Sequence, residues 1–368
     1  MSGRGTLQQA YQESLRRHGY QADASQLQAV ARLDELRSRL VQAHAAPPGW
    51  IGRLTRRWNA PTPAVVRGIY LWGGVGRGKT FLMDLFRAHL EVPSRRDHFH
   101  RFMKDVHGRL RQLREIESPL EQVAAEIGRD VRVLCLDELF VSDIADAMLL
   151  SGLFAALVER GVTLVFTSNA PPSDLYRDGL QRSRFLPAIA LIERCTETVN
   201  VDAGLDYRLR QLEKAPLYLD AADPFVDDSL ALRFEEIAGT AGDPGGSLEI
   251  EGRLIPVRSR SADVIWFEFD AICAGPRSTA DYVEIARDFH TVLMSGVPVF
   301  DSGMDDPARR FIALVDEFYD RSVKLVVSAE APPEGLYRGE RLAFEFERTR
   351  SRLAEMQTHE YLARPHRP

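Results

Sequence analysis

Residues 73–80 read Gly73-Gly74-Val75-Gly76-Arg77-Gly78-Lys79-Thr80, with Phe81 following. A glycine, four residues, then Gly-Lys-Thr is the spacing of a polyphosphate-binding loop, provided a strand precedes it and a helix follows. The flanks meet that condition. GIYLW (68–72) is a short β-capable run, and KTFLMDLFRAHL (79–90) is amphipathic with helical spacing. Glycines allow the φ values and close approach by which successive backbone N–H groups wrap phosphate oxygens at the positive end of a helix. Lys79 supplies a point charge for the β and γ phosphates, and Thr80 a hydroxyl for a bridging Mg²⁺. Residues 73–81 are therefore assigned to binding ATP with Mg²⁺.

A hydrolysing site also needs a carboxylate for the metal and a second for the attacking water. VRVLCLDELF (131–140) places Asp137 and Glu138 at the end of an apolar run, where buried parallel strands meet their ligand crevice. Asp137 is assigned to Mg²⁺, through water, and Glu138 to the lytic water as base or orienter. A further run, VTLVFTSNAPP (162–172), ends in Asn169, an uncharged amide suited to the γ-phosphate or the water. The order loop lysine, Asp-Glu, Asn is the sensor pattern of ATPases with an extra strand between the loop strand and the acidic strand. Downstream, GLQRSRFLPAI (179–189) offers Arg182 and Arg184. Arg184 is the first candidate to reach a neighbouring subunit's γ-phosphate, with surface ion pairing the alternative. Arg208 or Arg210 in DYRLRQL is either a second sensor or part of a basic helix face.

The elements that must position these residues point to an α/β fold with a P-loop core of parallel sheet, N-terminal helices and a C-terminal α/β region. The chain has 368 residues, 45% of them hydrophobic, enough for more than one core. Four segments are expected: an N-terminal helical segment (1–60), the ATPase core (61–205), a helical lid or linker (206–245) and the C-terminal region (246–368). Leu27, Val30, Leu33, Leu36 and Leu40 recur at helical spacing, and prolines in APPGW (46–50) and NAPTPAVVRG (59–68) interrupt the pattern. A net charge of −6 disfavours nucleic acid as the default partner, although Arg53, Arg56 and Arg57 beside Trp58 make a small basic cluster. Cys135, Cys195 and Cys273 are too scattered for a disulfide framework and read as core thiols of a reducing compartment. The N-terminus has no signal-peptide pattern and no run long enough to span a membrane, so a cytoplasmic protein is expected.

Several blocks together, LWGGVGRGKTFLMDLF, HFHRFMKDVH, LCLDELFVSDIADAMLL, TSNAPPSDLYRDGLQRSRFLPAI, NVDAGLDYRLR, DYVEIARDFHTV and RRFIALVDEFYDRSVKLVVSAE, resemble the AFG/LACE-type AAA+ ATPase family of bacterial cell-division ATPases and mitochondrial relatives. The likeness covers most of the chain. It departs at Leu139, where the family usually has phenylalanine after Asp-Glu; that alters packing rather than the two acids. The resemblance implies an oligomeric AAA+ ATPase recruited to the division septum that weakens FtsZ polymers when ATP is present. Two other readings stay open from the residues: a DNA-associated ATPase of the helicase-loader type, and a nucleotide-gated adaptor with little hydrolysis.

In HFHRFMKDVH, His98 and His100 would share one face of a strand, but no Cys or carboxylate cluster completes a metal set with His107. The same segment makes Phe99, Phe102 and Met103 candidate partner contacts, because this region commonly lines the pore of AAA+ rings. Finally, LFAALVERGVTLVFTSNAPPSDLYRDG is echoed by RFIALVDEFYDRSVKLVVSAEAPPEGLYRG after an insertion of four residues. In the register this suggests, Met294 and Ser295 stand where Asp137 and Glu138 stood, Glu330 replaces Asn169, and FDAICAGPRSTADYVEIA has the strand-loop-helix cadence without the lysine. A degenerate, non-hydrolysing half and chance recurrence of a common unit both fit.

Overall fold

The computed structural model describes residues 6–18, 23–45, 65–74, 76–113, 116–202, 209, 212–214, 216–261 and 263–367. Val75, Arg208, Arg210 and the cluster of Arg53, Arg56, Arg57 and Trp58 lie outside these. The chain divides into two compact units, Met1–Leu205 and Asp206–Pro368.

The first unit begins with helices α1 (Leu7–His18) and α2 (Ala24–Ala45). Leu7, Tyr11 and Leu15 on α1, and Ala29, Val30, Leu33, Leu36 and Leu40 on α2, are buried stripes one helical turn apart. They pack with Ile69, Leu71, Leu82, Met83 and Phe86 in one core cluster, so the N-terminal helices are built into this unit. Strands β1 (Gly68–Trp72), β2 (Ser94–His98), β3 (Val133–Asp137), β4 (Thr163–Ser168) and β5 (Thr196–Asn200) form a sheet of order β2-β3-β4-β1-β5. Every neighbouring pair is parallel. The connecting helices are α3 (Lys79–Ala88), α4 (Phe99–Gln112), α5 (Pro119–Asp130), α6 (Ile144–Glu159) and α7 (Leu186–Cys195). β1, β3 and β4 are almost wholly buried, which is why their sequences are continuous apolar runs rather than alternating ones. β4 lies between β1 and β3, the expected extra strand.

The second unit carries a six-stranded sheet of order β6-β13-β12-β11-β10-β7. Its parallel part is β6 (Tyr218–Asp220), β11 (Val264–Glu268), β12 (Thr291–Val297) and β13 (Lys324–Ala329). β10 (Ser259–Arg260) runs antiparallel to β11 and to β7 (Asp243–Pro244). β8 (Ser247–Ile250) and β9 (Arg253–Pro256) form the hairpin expected over 246–259. Helices α8 (Val226–Ala238), α9 (Thr279–Asp288), α10 (Asp305–Asp320) and α11 (Ala343–Glu355) complete the unit with the short α12 (His359–Leu362). Segment 206–245, expected as a helical lid or linker, instead contributes an edge strand and a packed helix here: β6 pairs with β13, and Leu230 and Phe234 of α8 are buried in the core.

Taken in chain order, β6, β11, β12 and β13 occupy the places of β1, β2, β3 and β4. The orders β11-β12-β13-β6 and β2-β3-β4-β1 match, all parallel. The same tie recurs in both: Tyr70 Oη donates to the Ala170 carbonyl at 2.9 Å, and Tyr218 Oη to the Ala331 carbonyl at 2.8 Å. This alignment corrects the register read from sequence by one residue. Cys135 pairs with Val165 and Leu293 with Val326, so Asp137 corresponds to Ser295 and Glu138 to Gly296, not to Met294 and Ser295. A slip of one residue turns a strand's side chains to the other face, and apolar runs buried on both faces give the sequence no alternation to fix it. The place of the phosphate loop is likewise the turn after β6, residues 221–225, rather than the turn after β11.

Candidate active site

The loop between β1 and α3 delivers Lys79 and Thr80 to the end of the sheet where β3 and β4 also terminate. Lys79 is buried, and its Nζ donates to the Gly73 carbonyl at 2.8 Å, the Gly74 carbonyl at 2.6 Å and Asn169 Oδ1 at 2.9 Å. Thr80 Oγ1 donates to Asp137 Oδ1 at 3.2 Å. Four residues chosen from three separate stretches of sequence thus meet at one point: Lys79 with Asn169, and Thr80 with Asp137.

Asp137 is fully buried, and a buried carboxylate is tolerated only when paired and hydrogen-bonded. It accepts from the Thr80 and Thr167 hydroxyls and from the Arg96 guanidinium. Arg96 Nε also lies 3.2 Å from Asp84 Oδ1 on α3. Thr167 Oγ1 in turn accepts the Glu138 N–H at 2.9 Å, and Glu138 holds a left-handed backbone with φ 53°. That conformation costs a β-carbon residue of order 1 kcal/mol and concentrates at functional turns. It ends β3 abruptly and turns the chain after Asp137, leaving the Glu138 side chain half-buried. Leu139, in the place of the family's phenylalanine, is buried; its N–H donates to the Thr167 carbonyl, and its carbonyl accepts from Ser168 Oγ.

On the far side of the loop, Asp202 Oδ1 accepts the Gly74 N–H at 3.0 Å and Arg77 Nε at 3.2 Å. From α2, Gln26 Nε2 donates to the Arg77 carbonyl at 2.9 Å. Phe81 is half-buried, its ring 6.3 Å from that of Tyr11. Sequence reading passed over Gln26, Arg96, Thr167 and Asp202. Gln26 had a signal: it is a polar residue on the otherwise apolar stripe of α2. The other three are found only through strand pairing.

The two arginines differ. Arg182 Nη2 donates to the Ser173 carbonyl at 2.6 Å, which ties it back, whereas Arg184 is exposed and makes no side-chain bond among the described residues. Phe99, Phe102 and Met103 are not surface contacts: all three are buried in the core of the first unit, because the apolar face of α4 packs against the sheet. β2 ends at His98, His100 sits on α4, and His107 Nε2 pairs with Asp146 at 2.6 Å. The three cysteines are free and buried.

A loop that presents a lysine and a threonine to a strand-end aspartate and asparagine is built for a nucleotide polyphosphate. The Thr80 hydroxyl and Asp137 carboxylate are hard oxygens on adjacent elements, a donor set suited to Mg²⁺, which keeps most of its shell as water and phosphate oxygen. The sequence profile of the AFG1-like ATPase family matches residues 5–365. The chain belongs to the AFG1-like ATPases. Cell division protein ZapE of Escherichia coli K12 is 46% identical to this AFG1-like ATPase over 97% of each chain. Lactation elevated protein 1 homolog B of Danio rerio is 36% identical over 81% of this chain and 69% of its own. A DnaC helicase loader structure overlays 49% of this chain and 92% of its own at 16% identity and a TM-score of 0.31, too slight a likeness to bear on function. As an AFG1-like ATPase the protein uses nucleotide through the P-loop core. No described helix is long and apolar enough to cross a membrane.

Proposed function

We propose that this AFG1-like ATPase hydrolyses Mg-ATP at the Lys79 site and uses the cycle to weaken FtsZ polymers at the division septum, working from the cytoplasm as an oligomer. The observation that carries the partner is the 46% identity over nearly the whole chain to a cell division protein. What carries the motor is the joining of Lys79 to Asn169 and of Thr80 to Asp137 at one sheet end.

In this reading the backbone of residues 73–78 and Lys79 bind the phosphates, and Lys79 exchanges its loop carbonyls for phosphate oxygens. Thr80 and Asp137 would hold Mg²⁺, which would neutralise charge on the transferring phosphoryl group. Glu138, on its left-handed turn, accepts a proton from or orients the attacking water. Asn169 holds the γ-phosphate end against Lys79 without adding charge. Arg184, exposed where Arg182 is tied back, reaches the γ-phosphate of a neighbouring subunit and completes charge stabilisation in trans.

The test is light scattering of FtsZ polymers with wild type, Lys79→Ala and Glu138→Gln, each with and without ATP. Wild type with ATP should lower scattering and the two variants should not. Equal action by all three would separate nucleotide chemistry from FtsZ and overturn the reading; DNA would then be tried as a stimulant of hydrolysis, with its salt slope.

A further inference from the structure

The phosphate loop is touched by a residue that none of the motifs includes. Gln26 is buried at the start of α2, and its amide is held at both ends: Tyr11 Oη donates to Oε1 at 2.7 Å, and Nε2 donates to the Arg77 carbonyl at 2.9 Å. The Arg77 carbonyl fixes which way the amide faces, because it only accepts and must meet nitrogen, which leaves Oε1 to take the tyrosine hydroxyl.

The peptide between Arg77 and Gly78 is trans, so its C=O and N–H point in opposite directions. Holding the Arg77 carbonyl against α2 therefore aims the Gly78 N–H away from it. Gly78 has φ +78°, and a Cβ built there would lie 2.9 Å from Gln26 Nε2. A glycine on the C-terminal side of a peptide accepts either orientation of that peptide at little cost, so local conformation alone does not choose. An outside hydrogen bond does.

We propose that Gln26, braced by Tyr11, is a positioning residue of the nucleotide site: it locks the Arg77–Gly78 peptide so that the Gly78 N–H is preset for a phosphate oxygen. Through this one side chain α2 is part of the nucleotide-binding apparatus, and losing its hydrogen bond changes nucleotide affinity before it changes chemistry. The proposal rests on ATP use by this site, and its readout of nucleotide binding is independent of whether FtsZ is the partner.

The experiment compares the full-length chain with Gln26→Glu, Gln26→Met, Tyr11→Phe and Leu33→Ala. It measures affinity for a fluorescent ATP analogue, the KM and kcat of hydrolysis, and the melting temperature. Gln26→Glu keeps the shape but offers the Arg77 carbonyl no donor at neutral pH, and Gln26→Met removes the donor at similar size. Each should weaken analogue binding and raise KM about tenfold, the size of one lost buried hydrogen bond, while kcat stays within about threefold. Tyr11→Phe should raise KM about threefold by releasing the amide. Leu33→Ala, a cavity in the same helix, should lower the melting temperature and leave KM within about twofold. Affinity unchanged in both Gln26 variants, or raised KM in Leu33→Ala equal to theirs, overturns the proposal.

Discussion

Strands β2-β3-β4-β1 of the first unit and β11-β12-β13-β6 of the second share order and direction, and each first strand is tied by a tyrosine to the carbonyl after its fourth. Their strand ends carry different chemistry. Where β3 ends in buried Asp137 bonded to Arg96, β12 has Ser295, whose Oγ accepts from Trp266 Nε1 at 2.7 Å, with Trp266 in the register place of Arg96. Glu330 stands in the place of Asn169 and accepts the Val299 N–H instead of meeting a lysine. The turn after β6 has no glycine and reads AADPF, with Asp227 and Asp228 in the first turn of α8. Arg258 lies over the Trp266 ring at 4.4 Å and pairs with Asp227 at 2.9 Å and Glu268 at 3.0 Å. The second unit thus supplies its own cation to acids that face where the first unit would face phosphate. The buried apolar runs settle the strand order, while a few residues at the strand ends settle the chemistry.

The sharpest test of that contrast is a matched pair. Asp137→Asn should lower steady-state ATP hydrolysis at least about 100-fold, whereas Ser295→Ala, at the corresponding place, should leave it within about twofold. A large loss in Ser295→Ala would give the second unit a part in catalysis and break the contrast. A second pair probes the likeness. Tyr70→Phe and Tyr218→Phe each delete one hydrogen bond to a half-buried carbonyl and should each cost about 1 kcal/mol, read as a shift in the denaturant midpoint of the unit concerned. Unequal losses beyond about 2 kcal/mol would show that the shared tie is not shared energetically. The smallest effect concerns the thiols. Burial pushes Cys135 up to about 12 and Cys195 up to about 11, and it raises Cys273 as well. Deprotonation is needed for reaction, so at pH 8 all three should react slowly with a thiol reagent in the native protein and rapidly once it is unfolded. A fast native phase from one thiol would mark a unit that opens locally.

The first unit was legible because its signals are local. The loop glycines, the apolar β-runs and the strand-end acids lie within short windows, and Asp137 and Asn169 fall where reasoning from buried parallel strands puts them. The second unit was legible only in part. Its echo is clear in α10 and β13, but the register of β12 had nothing to fix it, since Val292, Leu293 and Met294 are buried alike. The aromatic residues of α4 were misread because a pore-lining role and a core role make the same apolar pattern, and only packing distinguishes them. Gln26, Arg96 and Thr167 act across 51, 41 and 30 residues of chain, a reach no window spans.

The left-handed backbone at Glu138 bears on how a substrate-trapping form of this ATPase should be made. Gly296 adopts φ 73° at the matching position of the second unit, a bulge within β12, where a residue without a β-carbon rests easily. Glycine at 138 would therefore relax the turn along with removing the carboxylate, so a captured complex would report two changes at once. Glutamine keeps the β-carbon, the length and the strained turn, and alters only the acid, which makes it the cleaner form in which to stall the site.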